Sequence, residues 1–392
     1  MTSSAPQPAP ARSAAPQPAA PGGPAPREDE RPLVAVLFGG RSSEHAVSCV
    51  GAKAVIGAID GERYRVLPIG ITQEGTWRRV EDWADFAFDP QRMPEVADDG
   101  TEILVAPSGA HSPLRERLAD GTVRELGRVD AFFPVLHGKH GEDGTVQGLF
   151  ELMDTPFVGG GVLTSAVSMD KHFMKVVLAG AGIPACPWET LTAAQWATDP
   201  EVAAQRVSEQ GFPAFVKPAR AGSSVGISRI ESVEQLPAAM AEALAHDDKV
   251  IVEPGIDGRE IECSVLGGRG DAQLRTSLPA EIIVKGDHAF YDFEAKYLDA
   301  DGAEVVCPAD LDPETTARVQ DVARRTFRAF DCTGLARVDT FVTPAGEVLV
   351  NELNTLPGFT PTSGYPLMFA ASGVGFEQLV AELLDIALCD AR

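Results

Sequence analysis

The chain has 392 residues, of which 33 are Lys or Arg and 57 are Asp or Glu, so its formal net charge is −24. A hydrophobic fraction of 44% and a charged fraction of 23% are typical of a globular protein with a buried core. An acidic surface repels phosphodiester backbones, which argues against nucleic-acid binding. No apolar run reaches the roughly 18 residues of a membrane-spanning helix, and the length suffices for two or three domains of roughly 100–200 residues.

The six cysteines lie far apart and include no C-x-x-C pair. We therefore predict neither a disulfide scaffold nor a structural zinc site, and we expect a reducing, cytoplasmic compartment. Residues 1–32 are dominated by Pro, Ala, Ser and Gly and have no apolar stretch of the kind found in signal peptides. Such a segment buries too little apolar surface to offset its ordering entropy, so we predict a disordered tail.

The first folded segment is a continuous apolar run, Leu33 to Phe38, which is typical of a buried parallel strand. Gly39-Gly40 predict a turn, and the side chains at 42–44 favour the start of a helix that ends near Ile59. A second strand at 64–71 completes a βαβ unit, which predicts a right-handed parallel connection.

The rest of the chain alternates predicted helices with short strands, although residues 74–120 show no clear pattern. The predicted strands lie at 131–136, 212–218, 249–253, 260–266 and 280–284, the helices at 145–153, 163–179, 233–245 and 313–330, and a long polar loop at 285–308. Changes in the order of predicted helices and strands along the chain predict domains at 33–162, 163–254 and 255–392.

A predicted hairpin of strands at 335–342 and 348–354 carries the most informative polar residues. A two-residue loop at Ala345-Gly346 would fix its register and place the polar side chains on one face of the sheet. The predicted pairs are Asp339 with Glu352 and Arg337 with Asn354. Opposed carboxylates repel unless a cation lies nearby, and this set of oxygen donors suits Mg²⁺. The alternative, a solvated face with an Arg–carboxylate pair, stays open at this point.

Three further features are ambiguous when taken alone. The Gly/Ser-rich loop at 220–226 follows the strand that contains Lys217, and its amides are able to bind phosphate, but it is more often a flexible turn. Glu44 lies at the carboxyl end of a parallel strand, where it would bind a substrate ammonium or only favour the helix dipole. His137 would bind substrate or a backbone group.

Six segments, taken together and in order, form a more specific pattern. They are VLFGGRSSE at 36–44, HGKHGEDG at 137–144, SMDK at 168–171, VKPARAGSSVG at 216–226, YDFEAKY at 291–297 and NELNTLPG at 351–358. This pattern closely resembles D-alanine–D-alanine ligases of the ATP-grasp superfamily, and the likeness extends from about residue 33 to 385. It implies an α/β, three-domain ATP-grasp architecture: a Rossmann-like parallel sheet, then central and C-terminal domains whose two sheets hold the nucleotide between them.

The resemblance implies an enzyme that joins two D-alanines into D-alanyl-D-alanine for peptidoglycan precursor synthesis. In the family chemistry, the first carboxylate attacks the γ-phosphate of ATP to form an acyl phosphate. The second amino group then displaces phosphate, and ADP is the other product. The resemblance also implies two Mg²⁺ (or Mn²⁺) ions, a cytoplasmic homodimer, and small molecules rather than nucleic acid or membrane as partners.

The same resemblance assigns roles to matching positions. Glu44 would bind the first ammonium with His137 near its carboxylate, and Ser363 would bind the second carboxylate. Ser223 and Tyr297 would form a network with Glu44, and Arg337 with Gly358 would stabilise the oxyanion. The phosphates would contact Lys171, Lys217, Lys296 and Ser224. Adenine and ribose would contact Glu253, Ile256 and Glu260, and the metal ions would bind Asp339, Glu352 and Asn354.

The polar loop around Tyr297 would close over the reactants and exclude water from the acyl phosphate. Two regions depart from the family pattern. Pro254 stands where many relatives have lysine, which leaves one adenine contact in question, and residues 362–366 form a variable part of the second-substrate pocket. The tail lies outside the resemblance.

Several alternatives remain at the level of sequence. Ligases that take D-lactate as second substrate typically have His at the position of Tyr297, so this residue favours D-alanine. A D-serine preference depends on as little as ~1–3 kcal/mol from one pocket side chain. Another ATP-grasp ligase would share Lys217 but not Glu44 and Ser223, and a catalytically silent nucleotide-binding protein would not need Arg337.

Overall fold

The computed structural model of the chain describes residues 30–89, 91–106, 113–222, 224–270, 274–284 and 303–390. The predicted site residues Ser223, Lys296 and Tyr297, and nearly all of the predicted tail, lie outside these ranges, so the expectations for them stay predictions. The described residues from Pro32 onward form four β-sheets with helices packed on them.

The N-terminal sheet is built around a first strand whose residues are all buried. In the order β3-β2-β1-β7, its strands are β1 (Leu33–Gly39), β2 (Arg65–Ile71), β3 (Trp77–Arg79) and β7 (Ala131–Val135), and its helices are α1 (His45–Ala58) and α2 (Thr145–Leu152). β1 pairs in parallel with β2 and β7, and β3 adds an antiparallel edge. Alternate side chains of β1 pack towards α1 and towards α2, which confirms the predicted βαβ unit.

A small antiparallel sheet occupies part of the region for which the sequence showed no pattern. Its strands are β4 (Glu102–Leu104), β5 (Leu114–Arg117) and β6 (Val123–Gly127), and a 3₁₀ turn precedes them at Trp83–Asp85. In β5 the buried Glu116 occupies an inward position, where Arg124 of β6 pairs with it at 2.5 Å. Because this ion pair replaces an apolar residue, it hides the alternation by which strands are recognised in a sequence.

The central sheet is antiparallel and has its own apolar core. In the order β10-β9-β11-β8, its strands are β8 (Glu189–Thr192), β9 (Ala214–Pro218), β10 (Ser228–Ile230) and β11 (Lys249–Pro254), with helices α5 (Ala193–Thr198), α6 (Pro200–Ser208) and α7 (Leu236–Leu244) and a 3₁₀ turn at Val233–Gln235. The strands predicted at 212–218 and 249–253 are confirmed. The helix predicted at 233–245 begins with that 3₁₀ turn.

Two helices precede this sheet where the sequence predicts one over 163–179. They are α3 (Val162–Met169) and α4 (Lys171–Gly180). Between them, Asp170 has an extended backbone, and its carboxylate accepts hydrogen bonds from the amides of His172 and Phe173 at 3.1 and 3.2 Å. The prediction of one helix is therefore wrong, because Asp170 caps the start of a second. The cap places Lys171 in the first turn of α4.

The C-terminal sheet is antiparallel in the order β15-β14-β12-β16-β17, with β13 also paired to β12. Its strands are β12 (Arg259–Gly267), β13 (Arg275–Thr276), β14 (Ala280–Val284), β15 (Ala303–Val306), β16 (Gly334–Val342) and β17 (Val348–Asn354), and helix α8 (Pro313–Ala329) packs on it. The prediction of a loop over 285–308 is wrong near its end, because β15 is an edge strand that pairs with β14.

Two C-terminal helices, α9 (Gly364–Ala371) and α10 (Phe376–Asp390), were not predicted from the sequence pattern. Their buried side chains, such as Leu383, share one core with Phe38 and other residues of the N-terminal sheet. This core fixes the β1–α1 turn relative to the C-terminal sheet. None of the described helices is by itself long and apolar enough to span a membrane. Helices α9 and α10 have that length and apolarity only when counted together, and they are bent by 107° relative to each other.

The turn after β1 requires glycine at position 39, where φ is +84°. A Cβ atom at Gly39 would collide with the carbonyl oxygen of Ile71 and lie 3.0 Å from the His45 ring. We expect Gly39→Ala to lower the free energy of unfolding by about 1–3 kcal/mol, measured by urea denaturation.

Gly57→Ala is the matched control, because Gly57 is exposed in α1 and a Cβ there meets nothing within 4 Å. We expect this change to be neutral or to stabilise by up to about 1 kcal/mol. Equal stability of the two variants would contradict the described turn.

Candidate functional site

A cleft of about 710 Å³ lies between the central and C-terminal sheets. One wall comes from β9 and β11, and the other from β12, β14, β16 and β17. Its volume is ordinary for a small-molecule site. The nucleotide-binding residues implied by the resemblance that line this cleft are Lys171, Lys217, Ser224, Glu253, Ile256 and Glu260, and Glu352 lines it as well.

Lys217 and Glu253 project from adjacent antiparallel strands and form a close ion pair, with Nζ 2.6 Å from Oε2. The other carboxylate oxygen of Glu253 lies 2.5 Å from Nζ of Lys175, which the resemblance did not assign. Burial alone would raise the pKa of Glu253, but the two ammonium groups outweigh it and lower the pKa to about 2. Burial likewise opposes the charge of Lys217, and Glu253 with Glu352 raises its pKa nonetheless. A cation therefore faces the cleft.

The Gly/Ser-rich loop is ordered at its described residues rather than being an open turn. Lys171 donates from its amide to the carbonyl of Ala219 at 3.0 Å and from Nζ to the carbonyl of Ala221 at 2.7 Å. Ser224 has a φ of +58°, so the chain curls at the point where it borders the cleft. Curled backbone of this kind gathers amides into an anion-binding concavity. The phosphate-binding interpretation is the one that this geometry favours.

The β16–β17 hairpin has the register that the sequence predicts at the candidate metal site. The observed pairs are Asp339 with Glu352 and Arg337 with Asn354. The predicted two-residue loop is wrong, however. Thr343 donates its amide to the carbonyl of Glu347 at 3.0 Å, and Gly346 donates to that of Thr343 at 2.8 Å, which closes a three-residue loop. Gly346 adopts a φ of +79° there, as three-residue hairpin loops require.

A β-bulge reconciles the longer loop with the predicted pairs. Asp339 pairs with Glu352 but the next residue, Thr340, pairs with Val350, so Asn351 is the additional residue on β17. The bulge offsets the one-residue shift that the loop introduces. It also aims consecutive residues, Asn351 and Glu352, at the cleft.

The hairpin face is partly buried, and its arginine is paired. Arg337 donates to both oxygens of Asp339 at 2.7 Å and lies 3.2 Å from Glu262, and Asn354 donates to Asp339 at 2.9 Å. Asp339 is only 2% exposed, so the alternative of a solvated face is wrong, although its Arg–carboxylate pair is present. Burial opposes the Arg337 charge, but Asp339 and Glu262 raise its pKa well above the usual value.

The donor set on this hairpin suits magnesium or manganese. It consists of two carboxylates and one amide oxygen: Asp339, Glu352 and Asn354. Within the described ranges, no group of three His, Cys, Asp or Glu side chains is arranged to hold a metal ion. Mg²⁺ binds through one or two carboxylates and completes its shell with water and phosphate oxygens, so this smaller set fits it.

A second group of polar side chains lies at the β1–α1 turn. Glu44 is the buried N-cap residue of α1, yet its carboxylate makes no capping bond to that helix, all of which the structure describes. A Cβ atom built on Gly138 would lie 3.7 Å from Oε2 of Glu44, and one built on Gly222 would lie 4.0 Å from the same oxygen. The carboxylate thus lies between the 137–144 loop and the phosphate loop, which favours a ligand role over capping.

His137 and Glu142 connect this turn to the end of β17. His137 Nδ1 donates to the carbonyl of Leu356 at 3.0 Å, and its buried Nε2 has no hydrogen-bond partner among the described residues. Glu142 accepts from the amides of Gly138 at 2.6 Å and Leu356 at 3.3 Å. Burial, followed by the charge of Glu44, raises the pKa of Glu142 to about 8, against the weaker effect of the two amides.

The remaining substrate positions implied by the resemblance also come together. A Cβ atom on Gly358 would lie 3.4 Å from the hydroxyl of Ser363, and one on Gly364 would lie 3.9 Å from Arg337. Ser363 is the N-cap residue of α9, and its hydroxyl accepts from the amide of Thr360 at 3.1 Å. The 358–364 segment therefore lies against the arginine.

Three residues of the site were missed at the level of sequence: Glu142, Asn351 and Lys175. Glu142 lies inside a quoted motif, but its partner at Leu356 is 214 positions away. Asn351 has the pattern of an ordinary strand residue, because a bulge has no reliable sequence signal. Lys175 sits four residues after Lys171 on the helix, so the i, i+4 spacing was the available signal.

Comparison with known proteins gives one consistent family. Residues 33–160 match the family model described as D-ala D-ala ligase N-terminus, and residues 177–385 match D-ala D-ala ligase C-terminus. The D-alanine--D-alanine ligase of Arthrobacter sp. (strain FB24) is 53% identical over 360 residues, which cover 91% of this chain and 94% of that protein. That of Kineococcus radiotolerans is 52% identical over 365 residues, covering 91% and 97%.

Solved structures agree with this result. The D-alanine-D-alanine ligase from Coxiella burnetii has a TM-score of 0.77 at 35% identity and covers 92% of this chain and 95% of its own. The VanG D-Ala:D-Ser ligase from Enterococcus faecalis has a TM-score of 0.75 at 35% identity, and the match covers 91% of this chain and 100% of that one. With matching models over both halves and relatives more than half identical over most of its length, the chain belongs to the D-alanine–D-alanine ligase family.

Proposed function

We propose that this protein joins two molecules of D-alanine into D-alanyl-D-alanine at the expense of ATP, releasing ADP and phosphate. The observation that carries the proposal is the position of the Glu44 carboxylate beside Gly222 of the phosphate loop. An amino acid held there by its ammonium group would present its carboxylate to the transferred phosphate. The names of the relatives that are about half identical support D-alanine as that amino acid.

The first step joins a substrate carboxylate oxygen to the γ-phosphorus, and the bond from that phosphorus to the bridging oxygen of ADP breaks. Lys171 and Lys217 would lie along the phosphates, since both line the cleft. Nε2 of His137, which has no hydrogen-bond partner among the described residues, would face the substrate carboxylate. The acyl phosphate that forms stays near the arginine at the hairpin.

In the second step the free amine of the second D-alanine attacks the acyl carbon and loses a proton, and the bond from that carbon to the phosphate oxygen breaks. Arg337 would stabilise the oxygen that gains negative charge, together with the amide of Gly358. The closeness of Arg337 to Gly364, where a Cβ atom would lie 3.9 Å from it, supports this role. Ser363 would bind the second carboxylate. The proposed Glu44, Ser223 and Tyr297 network would hold the loops closed over these reactants.

Asp339, Glu352 and Asn354 would hold two Mg²⁺ (or Mn²⁺) ions. Bound there, the ions would neutralise the phosphate oxygens and orient them for in-line transfer. The chain itself contributes the geometry, because the bulge at Asn351 places Glu352 on the cleft while Asp339 stays behind it in contact with Arg337.

We also propose the domain division at 162 and 254, a cytoplasmic location and a homodimer. The core of the central sheet supports the boundary at 254, because its described buried residues extend only from Leu191 to Val252. Helix α4 packs differently, since its buried Met174 and Leu178 share the core of the C-terminal sheet. The location and the dimer rest on the family resemblance.

The direct test is release of ADP and phosphate by the purified full-length protein with ATP and magnesium. We expect release that depends on D-alanine, with D-alanyl-D-alanine confirmed by mass. Parallel reactions containing D-alanine with D-serine or D-lactate test the alternative second substrates. Turnover only with another carboxylate and amine would keep the nucleotide site and overturn D-alanine as substrate.

Glu352→Gln should weaken metal binding and turnover together, because the amide keeps the shape but not the charge of the cleft-facing ligand. We expect the magnesium concentration for half-maximal rate to rise roughly tenfold or more. Glu347→Gln on the same hairpin is the control, since Glu347 is exposed at the turn. A Glu352→Gln variant with the magnesium requirement of the wild type would remove this residue from the metal set.

Glu142→Gln should change how stability depends on pH. The folded-state pKa of about 8 lies above the ordinary value of 4.5, so the folded protein binds more protons between these values. The free energy of unfolding of the wild type therefore falls as pH rises through this window and levels off above it. The variant loses a hydrogen-bond acceptor, which costs about 1 kcal/mol near the acid end, but it does not show this fall.

Urea unfolding of the nucleotide-free and metal-free protein at several pH values measures both effects. Glu151→Gln on the exposed side of α2 is the control and should keep the pH dependence of the wild type. If Glu142→Gln retains the wild-type slope, Glu142 is not the titrating group.

A further inference from the structure

We propose that Lys175, which lies behind the nucleotide cleft, sets the charge that the cleft presents to phosphate and is a positioning residue for nucleotide binding. The proposal rests on the proposed function only in taking a nucleoside triphosphate as the ligand of this cleft. Nothing in the family motifs described above assigns Lys175 a role.

The three charged groups lie one behind another. Lys217 is the outermost: it lines the cleft, and 16% of its side chain is exposed. Glu253 comes next and contacts both lysines, Lys217 through Oε2 and Lys175 through Oε1. Lys175 is the innermost, with a side chain that is 1% exposed and is absent from the described cleft lining.

The charges of this row sum to a single positive charge. If Lys175 were uncharged, Lys217 and Glu253 would form a neutral pair, and the attraction of the cleft for phosphate would fall. Buried charges interact strongly because little water screens them, so a charge one residue behind the surface still acts on a ligand. A buried lysine also has to be paired, and Glu253 supplies that partner.

Lys175 also connects the two sheets that form the cleft. Its Nζ donates to the carbonyl of Cys186 at 3.2 Å. The amide of Cys186 in turn donates to the carbonyl of Val350 at 3.2 Å, next to the bulge that aims Glu352 at the cleft. The same ammonium therefore contacts Glu253 of the central sheet and a segment bonded to β17.

The test compares affinity for a non-hydrolysable ATP analogue with affinity for adenosine, measured by titration calorimetry and competition without D-alanine. Because adenosine lacks phosphates, the ratio of the two affinities isolates the effect of charge. We expect Lys175→Met to lower this ratio about tenfold. The double variant Lys175→Met/Glu253→Gln restores the single positive charge, so it should restore the ratio even though a proposed adenine contact has changed.

Met174→Ala is the matched control, because Met174 is the preceding residue of α4, is fully buried and lies outside the cleft lining among the described residues. It should reduce stability and leave the ratio unchanged. An unchanged ratio in Lys175→Met, or a lowered ratio that the double variant does not restore, would overturn the proposal. If Lys175→Met does not fold, Glu253→Gln alone serves as the test. It should raise the affinity ratio, because it leaves two positive charges, and a ratio at or below that of the wild type would overturn the proposal.

These measurements separate the two proposals. Nucleotide binding by the wild type without ligation of D-alanine would overturn the proposed substrate and leave the role of Lys175 to be decided by the ratio. A wild-type protein that binds no nucleotide would overturn both.

Discussion

The two backbone groups of Leu356 hold the halves of the site together. Its carbonyl accepts from His137 and its amide donates to Glu142, so the segment that follows the strand carrying Glu352 and Asn354 is bonded directly to the 137–144 loop. The shared core of β1, α1 and α10 supports this connection from behind. Without it, the anion-binding cleft and the carboxylate at the β1–α1 turn would be two separate features.

The buried charges of the site are set by their neighbours rather than by burial alone. Glu142 and Glu253 are both carboxylates removed from bulk water, yet their pKa values shift in opposite directions, to about 8 and about 2. Glu142 faces the carboxylate of Glu44, whereas Glu253 lies between two ammonium groups. The ionised Glu253 keeps Lys217 positioned, whereas Glu142 holds a proton more readily than an ordinary carboxyl group does.

Local patterns predicted much of the fold, whereas the family resemblance supplied most of the cleft-lining residues that were expected, such as Lys171 and Lys217. The apolar run of β1 and the parallel βαβ unit are confirmed, and so are the pairs of the β16–β17 hairpin. The hairpin is instructive because two errors cancelled: the loop has three residues rather than two, and the bulge at Asn351 offsets the difference. Loop length and bulges both shift a register by one residue, and a sequence shows neither directly.

The residues and strands that the sequence did not predict share a physical cause. In each, the contact that decides the structure is polar or lies far away in the sequence. Glu142 and Lys175 have meaning only through partners on other elements, and Glu116 replaces an apolar residue in β5 by an ion pair. The break at Asp170 is a local exception, because the Asp before Lys171 is a recognisable cap. The apolar residues on both sides of it outweighed that signal.

The choice of second substrate depends on a smaller scale of structure than the fold does. The solved ligases named for D-alanine and for D-serine have nearly equal TM-scores to this chain and the same identity, so overall likeness does not separate the two substrates. D-serine differs from D-alanine by one hydroxyl, and an apolar pocket rejects an added hydroxyl only weakly. In the activity that we propose, selectivity for D-alanine therefore has to come from the side chains around Gly358 and Ser363 and from the loop around Tyr297, which is predicted to close over them.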